Sequence, residues 1–135
     1  MHTPTPIPAQ PTKVVLWISY VLSALPVLML LMSGVMKIMQ SAEVMKGFAD
    51  WPAGSAVTIG IVELVCTVIY LVPRTTVLGA ILLTGYLGGA TAVSVRMGGM
   101  GWLLPVVFGV LVWGGLYLRN LKVRALFCEN FGCAS

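Results

Sequence analysis

The chain has 135 residues, of which 59% are hydrophobic and only 9% charged, and its mean hydropathy is +0.98. A soluble domain carries about 25% charged residues, so this composition cannot cover a water-facing surface and excludes an ordinary soluble enzyme. The net charge of +4 comes from eight Lys/Arg against four Asp/Glu. These charges lie between and after apolar runs, without interleaved stacking aromatics, which indicates membrane anchoring and excludes a nucleic-acid surface.

The length predicts one domain. Residues 1–12 hold four prolines and little to bury, so a disordered head is expected, with His2 a solvated histidine. Residues 14–36 form an apolar run long enough to cross a bilayer, which needs about 20 residues, and too long for a signal-peptide core. Pro26 should kink this first helix. Ser19, Ser23, Pro26, Ser33 and Lys37 fall on one helical face, which should point toward neighbouring helices.

Residues 38–53 form the longest connection. Ser41 is the expected N-cap of a short amphipathic surface helix, with Glu43 in its first turn. Val44, Met45, Phe48 and Trp51 recur at helical spacing, and Trp51 and Pro52 mark the end.

The second apolar run, residues 54–72, carries one carboxylate, Glu63, at its middle. Gly60, Glu63, Thr67 and Tyr70 form a narrow polar stripe that reads as a helix-packing seam. Pro73, Arg74 and Thr75 predict a tight turn into a third helix over 76–95. Ala80, Thr84, Gly88 and Ala92 form one ridge of small residues there, and Gly85 and Gly89 a second. Such ridges let helix backbones approach closely, so Gly85, Gly88 and Gly89 are candidate packing positions. After a glycine-rich loop, residues 102–118 predict a fourth helix, with Pro105 tolerated in its first turn. Arg119, Lys122 and Arg124 then lead into a short tail.

The expected fold is therefore all-α: four transmembrane helices, with a surface helix between the first two. The domain would run over residues 13–127, followed by a tail over 128–135. An even number of crossings puts Lys13, Arg74, Arg119, Lys122 and Arg124 on one side and Lys37, Lys46 and Arg96 on the other. The excess places both termini in the cytoplasm. Of the cysteines, Cys66 reads as a small core residue. Cys128 and Cys133 fit neither a redox nor a zinc motif and should be reduced in that compartment.

An acid within a membrane span is a functional candidate. Glu63 lies about 14 Å from the outer end of its helix at 1.5 Å per residue, and Lys37 and Arg96 close neighbouring helices at that rim. In one reading Lys37 and Glu63 form a structural ion pair, with Arg96 at the headgroups. In another, the three line an outward-facing polar pocket where Glu63 binds or relays a proton for a lipophilic ligand. In a third, Glu63 is neutral and hydrogen-bonded to Ser33 or Tyr86. No metal cluster, nucleophile–histidine pair or phosphate-cradling loop is present in the sequence.

The segments Ser33-Gly34-Val35-Met36-Lys37, Glu63-Leu64 and Tyr70-Leu71-Val72-Pro73-Arg74, with the run from Leu78 to Ala90 and Arg96, resemble the DoxX-like family of small four-helix membrane proteins. The resemblance covers residues 14–127. It implies a multi-pass protein of the bacterial inner membrane, associated with redox or oxidative-stress functions and related to a quinone-linked oxidoreductase subunit. The family's polar positions fall on Lys37, Glu63 and Arg96. The expected function is a small subunit that binds a quinone-like redox molecule, with electrons supplied by a partner protein because the chain has no visible redox centre. The alternatives are a membrane scaffold that packs a partner or a second copy through helix 3, and a small proton-coupled transporter working as a dimer.

Overall fold

Each apolar run becomes a helix, because unbroken apolar sequence in lipid must satisfy its backbone groups internally. The computed structural model describes residues 9–132. Helix α1 spans Lys13–Ile38, α2 Ala42–Gly47, α3 Ser55–Leu71, α4 Thr76–Met97, α5 Leu103–Arg119 and α6 Leu121–Phe131, with a 3₁₀ turn over Met100–Trp102 before α5. No strand occurs among the described residues. Residues 9–12 have no regular structure, and His2 and Cys133 lie outside the described residues.

Three segments are long and apolar enough to cross a membrane: Lys13–Ile38, Thr76–Met97 and Met100–Arg119. Helix α3 is also apolar but shorter, at 17 residues. Helix α1 packs on α3 and α5, and α4 packs on the same two helices. The core is centred on Tyr70, Ala80, Leu83, Val112 and Leu116, each at most 1% exposed. The opposite faces expose Trp17, Leu28, Met32, Ile81 and Val110, residue types suited to lipid contact. Pro26 is buried inside α1, which is assigned as one helix through it.

The polar stripes predicted on α1 and α3 turn inward. Ser19, Ser23, Glu63, Thr67 and Tyr70 are all buried. Ser23 Oγ and the Tyr70 hydroxyl lie 3.0 Å apart, and that hydroxyl donates to the Val112 carbonyl at 3.2 Å. Thr67 donates to the Glu63 carbonyl one turn back, at 2.7 Å. These bonds satisfy hydroxyls that lipid could not.

The glycines distribute differently from expectation. A Cβ on Gly85, Gly88 or Gly89 would meet nothing within 4 Å, so these positions do not pack a helix within this chain. The close approaches occur elsewhere. A Cβ at Gly79 would strike the Tyr70 backbone, and one at Gly115 would strike Ser23. Gly79 packs directly on the Tyr70 backbone of α3, whereas Gly85 and Gly89 border a cavity with Lys37 and Ile59, and Gly88 borders a recess against α5.

Two further expectations change at the connections. The surface helix is only six residues long. Gly47 ends it, its N-cap position Ser41 makes no side-chain cap bond, and Phe48 and Trp51 sit in the turns that follow, with ring centroids 5.5 Å apart. Beyond α5, the expected tail begins as a helix. Asn120 accepts from the backbone N–H groups of Lys122 and Val123 and so caps α6. Val123 is buried and Phe127 packs edge-on against Tyr117 at 5.6 Å, so α6 runs across the boundary expected at residue 127. Cys66 is buried and free. Cys128 is disulfide-bonded, which corrects the expectation of a reduced thiol there. Its helix ends at left-handed Gly132, whose N–H returns to the Cys128 carbonyl.

Candidate functional site

The site is built where α1 ends against the middle of α3. Helix α1 terminates in a turn with Gln40 at φ 52. The Gln40 N–H donates to the Lys37 carbonyl at 3.2 Å and the Ser41 N–H to the Met36 carbonyl at 3.1 Å. This left-handed cap fixes Lys37 in the last turn. Just before it, α1 and α3 cross closely at Gly34 and Gly60. A Cβ on Gly60 would lie 2.9 Å from the Gly34 carbonyl oxygen and 2.9 Å from Lys37 Cβ. The crossing brings Lys37 beside the turn of α3 that carries Glu63.

Lys37 Nζ donates to Glu63 Oε2 at 2.6 Å, to Ser33 Oγ at 2.6 Å and to the Tyr86 hydroxyl at 3.3 Å. An ammonium has three donors, and all three have acceptors drawn from α1, α3 and α4. Ser33 in turn donates to Glu63 Oε2 at 3.4 Å. The carboxylate is 2% exposed and the lysine side chain 15%, so the pair is reached from the lysine's side.

Arg96 does not join this network. It is exposed and lines a recess with Asp50, Trp51, Pro52 and Val93, which adjoins the Lys37 cavity through Trp51 and Val93. Its place at the helix end keeps it at the rim. Ser33 and Tyr86, expected from the sequence as possible partners of Glu63, both accept from Lys37, and Ser33 also donates to Glu63. The Gly34–Gly60 crossing lay outside the sequence-derived site, because it depends on which helix faces which.

A cavity of about 420 Å³ opens beside the network, lined by Lys37, Tyr86, Gly85, Gly89, Phe48 and Trp51 among others. Its wall is largely apolar, with Lys37, Tyr86 and Ser94 as polar groups, and the glycines that pack nothing leave room for it. A site with an apolar wall and a few directed polar groups is the usual form of a small-molecule site. The Tyr86 hydroxyl accepts from Lys37 and keeps its own O–H to donate to a carbonyl or other acceptor there. Among the described residues no cluster of His, Cys, Asp and Glu could hold a metal ion.

Apolar spanning-length helices packed around a buried ion pair define a membrane protein. The chain matches the DoxX-like family over residues 21–115 and belongs to it. No curated protein and no solved structure matches it.

Proposed function

We propose that the protein is a four-span membrane subunit that binds a lipophilic, quinone-like redox molecule in the cavity beside Lys37 and Tyr86. The observation that carries this reading is a largely apolar cavity with a lysine and a tyrosine at one end, backed by a buried carboxylate. Helix α3, at 17 residues, reaches the lower limit of about 17–25 for a span, so α1, α3, α4 and α5 supply the four crossings. Phe48 and Trp51 close the cavity from the connection. The Tyr86 hydroxyl orients a ligand carbonyl, and the hydrogen bonds from Tyr86 through Lys37 to Glu63 give a protonic route back into the protein. A bound quinone supplies two-electron, two-proton redox chemistry, with the electrons coming from a partner protein.

We place the protein in the bacterial inner membrane, in a redox or oxidative-stress setting, on the strength of the family's associations. The count of Lys/Arg, five against three, supports cytoplasmic termini. Labelling of single cysteines introduced at each helix end, from each face of the membrane, tests that orientation. A scaffold reading draws support from Gly85, Gly88 and Gly89, which present open backbone to any incoming helix.

The test is binding of a short-chain ubiquinone analogue, read by quenching of Trp51 fluorescence against a Trp51→Phe background. Gly89→Leu, at a cavity-lining position where an added Cβ meets nothing within 4 Å, should abolish saturable quenching. Tyr86→Phe and Glu63→Gln should weaken it. Unchanged binding in all three folded variants rules out this cavity as the site.

A further inference from the structure

A second cavity, of about 700 Å³, lies at the opposite end of the helices from the Lys37 site. It is lined by Arg74 from the α3–α4 turn, Arg119 from the last turn of α5 and Lys122 from the first turn of α6, together with Tyr20 and Asn120. Three cations from three parts of the chain thus share one recess. Among the described residues none of them has a carboxylate within 4.0 Å, the single ion pair being Lys37–Glu63. The chain's four acids explain this. Glu63 is committed to Lys37, and Glu43 and Asp50 belong to the connection at the far end. Glu129 lies seven residues beyond Lys122, about 10 Å along α6.

The arrangement is pre-ordered. The Arg119 guanidinium sits over two rings, 5.4 Å from the Tyr70 centroid and 5.6 Å from that of Tyr20. Tyr70 is in turn fixed by its bonds to Ser23 and Val112. Asn120 takes the N–H groups of Lys122 and Val123 for its own side chain, so the side-chain cations supply the positive field. Three like charges in one recess repel one another until an anion enters, and Arg and Lys are suited to phosphate oxygens.

We propose that this cavity is a phosphate-binding site that holds the head group of an anionic phospholipid. The lipid source follows from the walls. Leu71 and Tyr20 line the same recess and are more than half exposed, so apolar surface meets the cations where helix ends meet headgroups. Basic recesses between transmembrane helices are suited to anionic head groups. Occupancy would tie the α3–α4 turn to the α5–α6 junction at one point.

The experiment is native mass spectrometry of the full chain released from mixed micelles containing phosphatidylglycerol and phosphatidylcholine with the same acyl chains. The wild-type protein should retain one phosphatidylglycerol in preference to phosphatidylcholine. Arg74→Gln with Lys122→Gln, both at exposed positions, should lower that retention roughly tenfold or more. Lys46→Gln with Arg96→Gln removes equal charge at the other end and should leave retention unchanged. Equal losses in both pairs would reduce the effect to general surface charge and overturn the site. So would undiminished retention in an Arg74→Gln/Lys122→Gln protein that melts like wild type. If inorganic phosphate alone raises the melting temperature as much as phosphatidylglycerol, the lipid is overturned as the source.

Discussion

Replacing Lys37 with methionine keeps an unbranched side chain only one heavy atom shorter and removes its charge, which probes the worth of the ammonium. In the native protein Glu63 is 2% exposed and receives the lysine at 2.6 Å. Breaking a buried pair from one side costs about 3–5 kcal/mol, because the remaining charge is left without compensation. Lys37 lies partly at the rim and Ser33 still donates to Glu63, so the lower end, about 3 kcal/mol, is expected. Replacing both partners, Lys37→Met with Glu63→Met, removes the stranded charge and should return stability to within about 1 kcal/mol of wild type. The coupling between the two changes is then about 2 kcal/mol or more. Reversible unfolding in detergent micelles, followed by helical circular dichroism, measures all four proteins. Additive effects, or a Lys37→Met protein within 0.5 kcal/mol of wild type, would refute the claim that this pair is buried and mutually dependent.

The glycines give a second contrast. Gly79→Ala forces a Cβ into the Tyr70 backbone and should destabilise by about 1–3 kcal/mol. Gly85→Ala meets nothing and should stay within about 1 kcal/mol of wild type, as the same unfolding assay would read. Gln40→Gly relieves a left-handed residue at the α1 cap and should stabilise by about 1 kcal/mol; a lower midpoint would show that the Gln40 side chain makes a compensating contact.

Much of the architecture was legible because lipid-facing helices need long apolar runs, and this chain has them. The inward polar faces of α1 and α3 were legible from spacing alone. Helix α6 was not expected, although Asn120 before Val123, Phe127 and Phe131 at steps of four carried a helix signal. The clustered cations Arg119, Lys122 and Arg124 also suit a surface-anchoring tail, so the helix signal there is not unique. The surface helix was expected too long because Phe48 and Trp51 keep helical spacing past Gly47. They keep their ring contact in turns instead.

The sequence by itself determined that this chain belongs in a membrane, that its polar faces turn inward, and that Lys37 and Glu63 lie at depths where a long side chain can join them. Periodicity and rise per residue depend only on position within one helix. Which of two cations reaches Glu63 was decided by tertiary structure. The close crossing at Gly34 and Gly60 delivers Lys37, while Arg96 stays at the rim. The same holds for the glycines of α4, equivalent in sequence. Their roles depend on which side of the helix a neighbour occupies, and no pattern within a single helix carries that information.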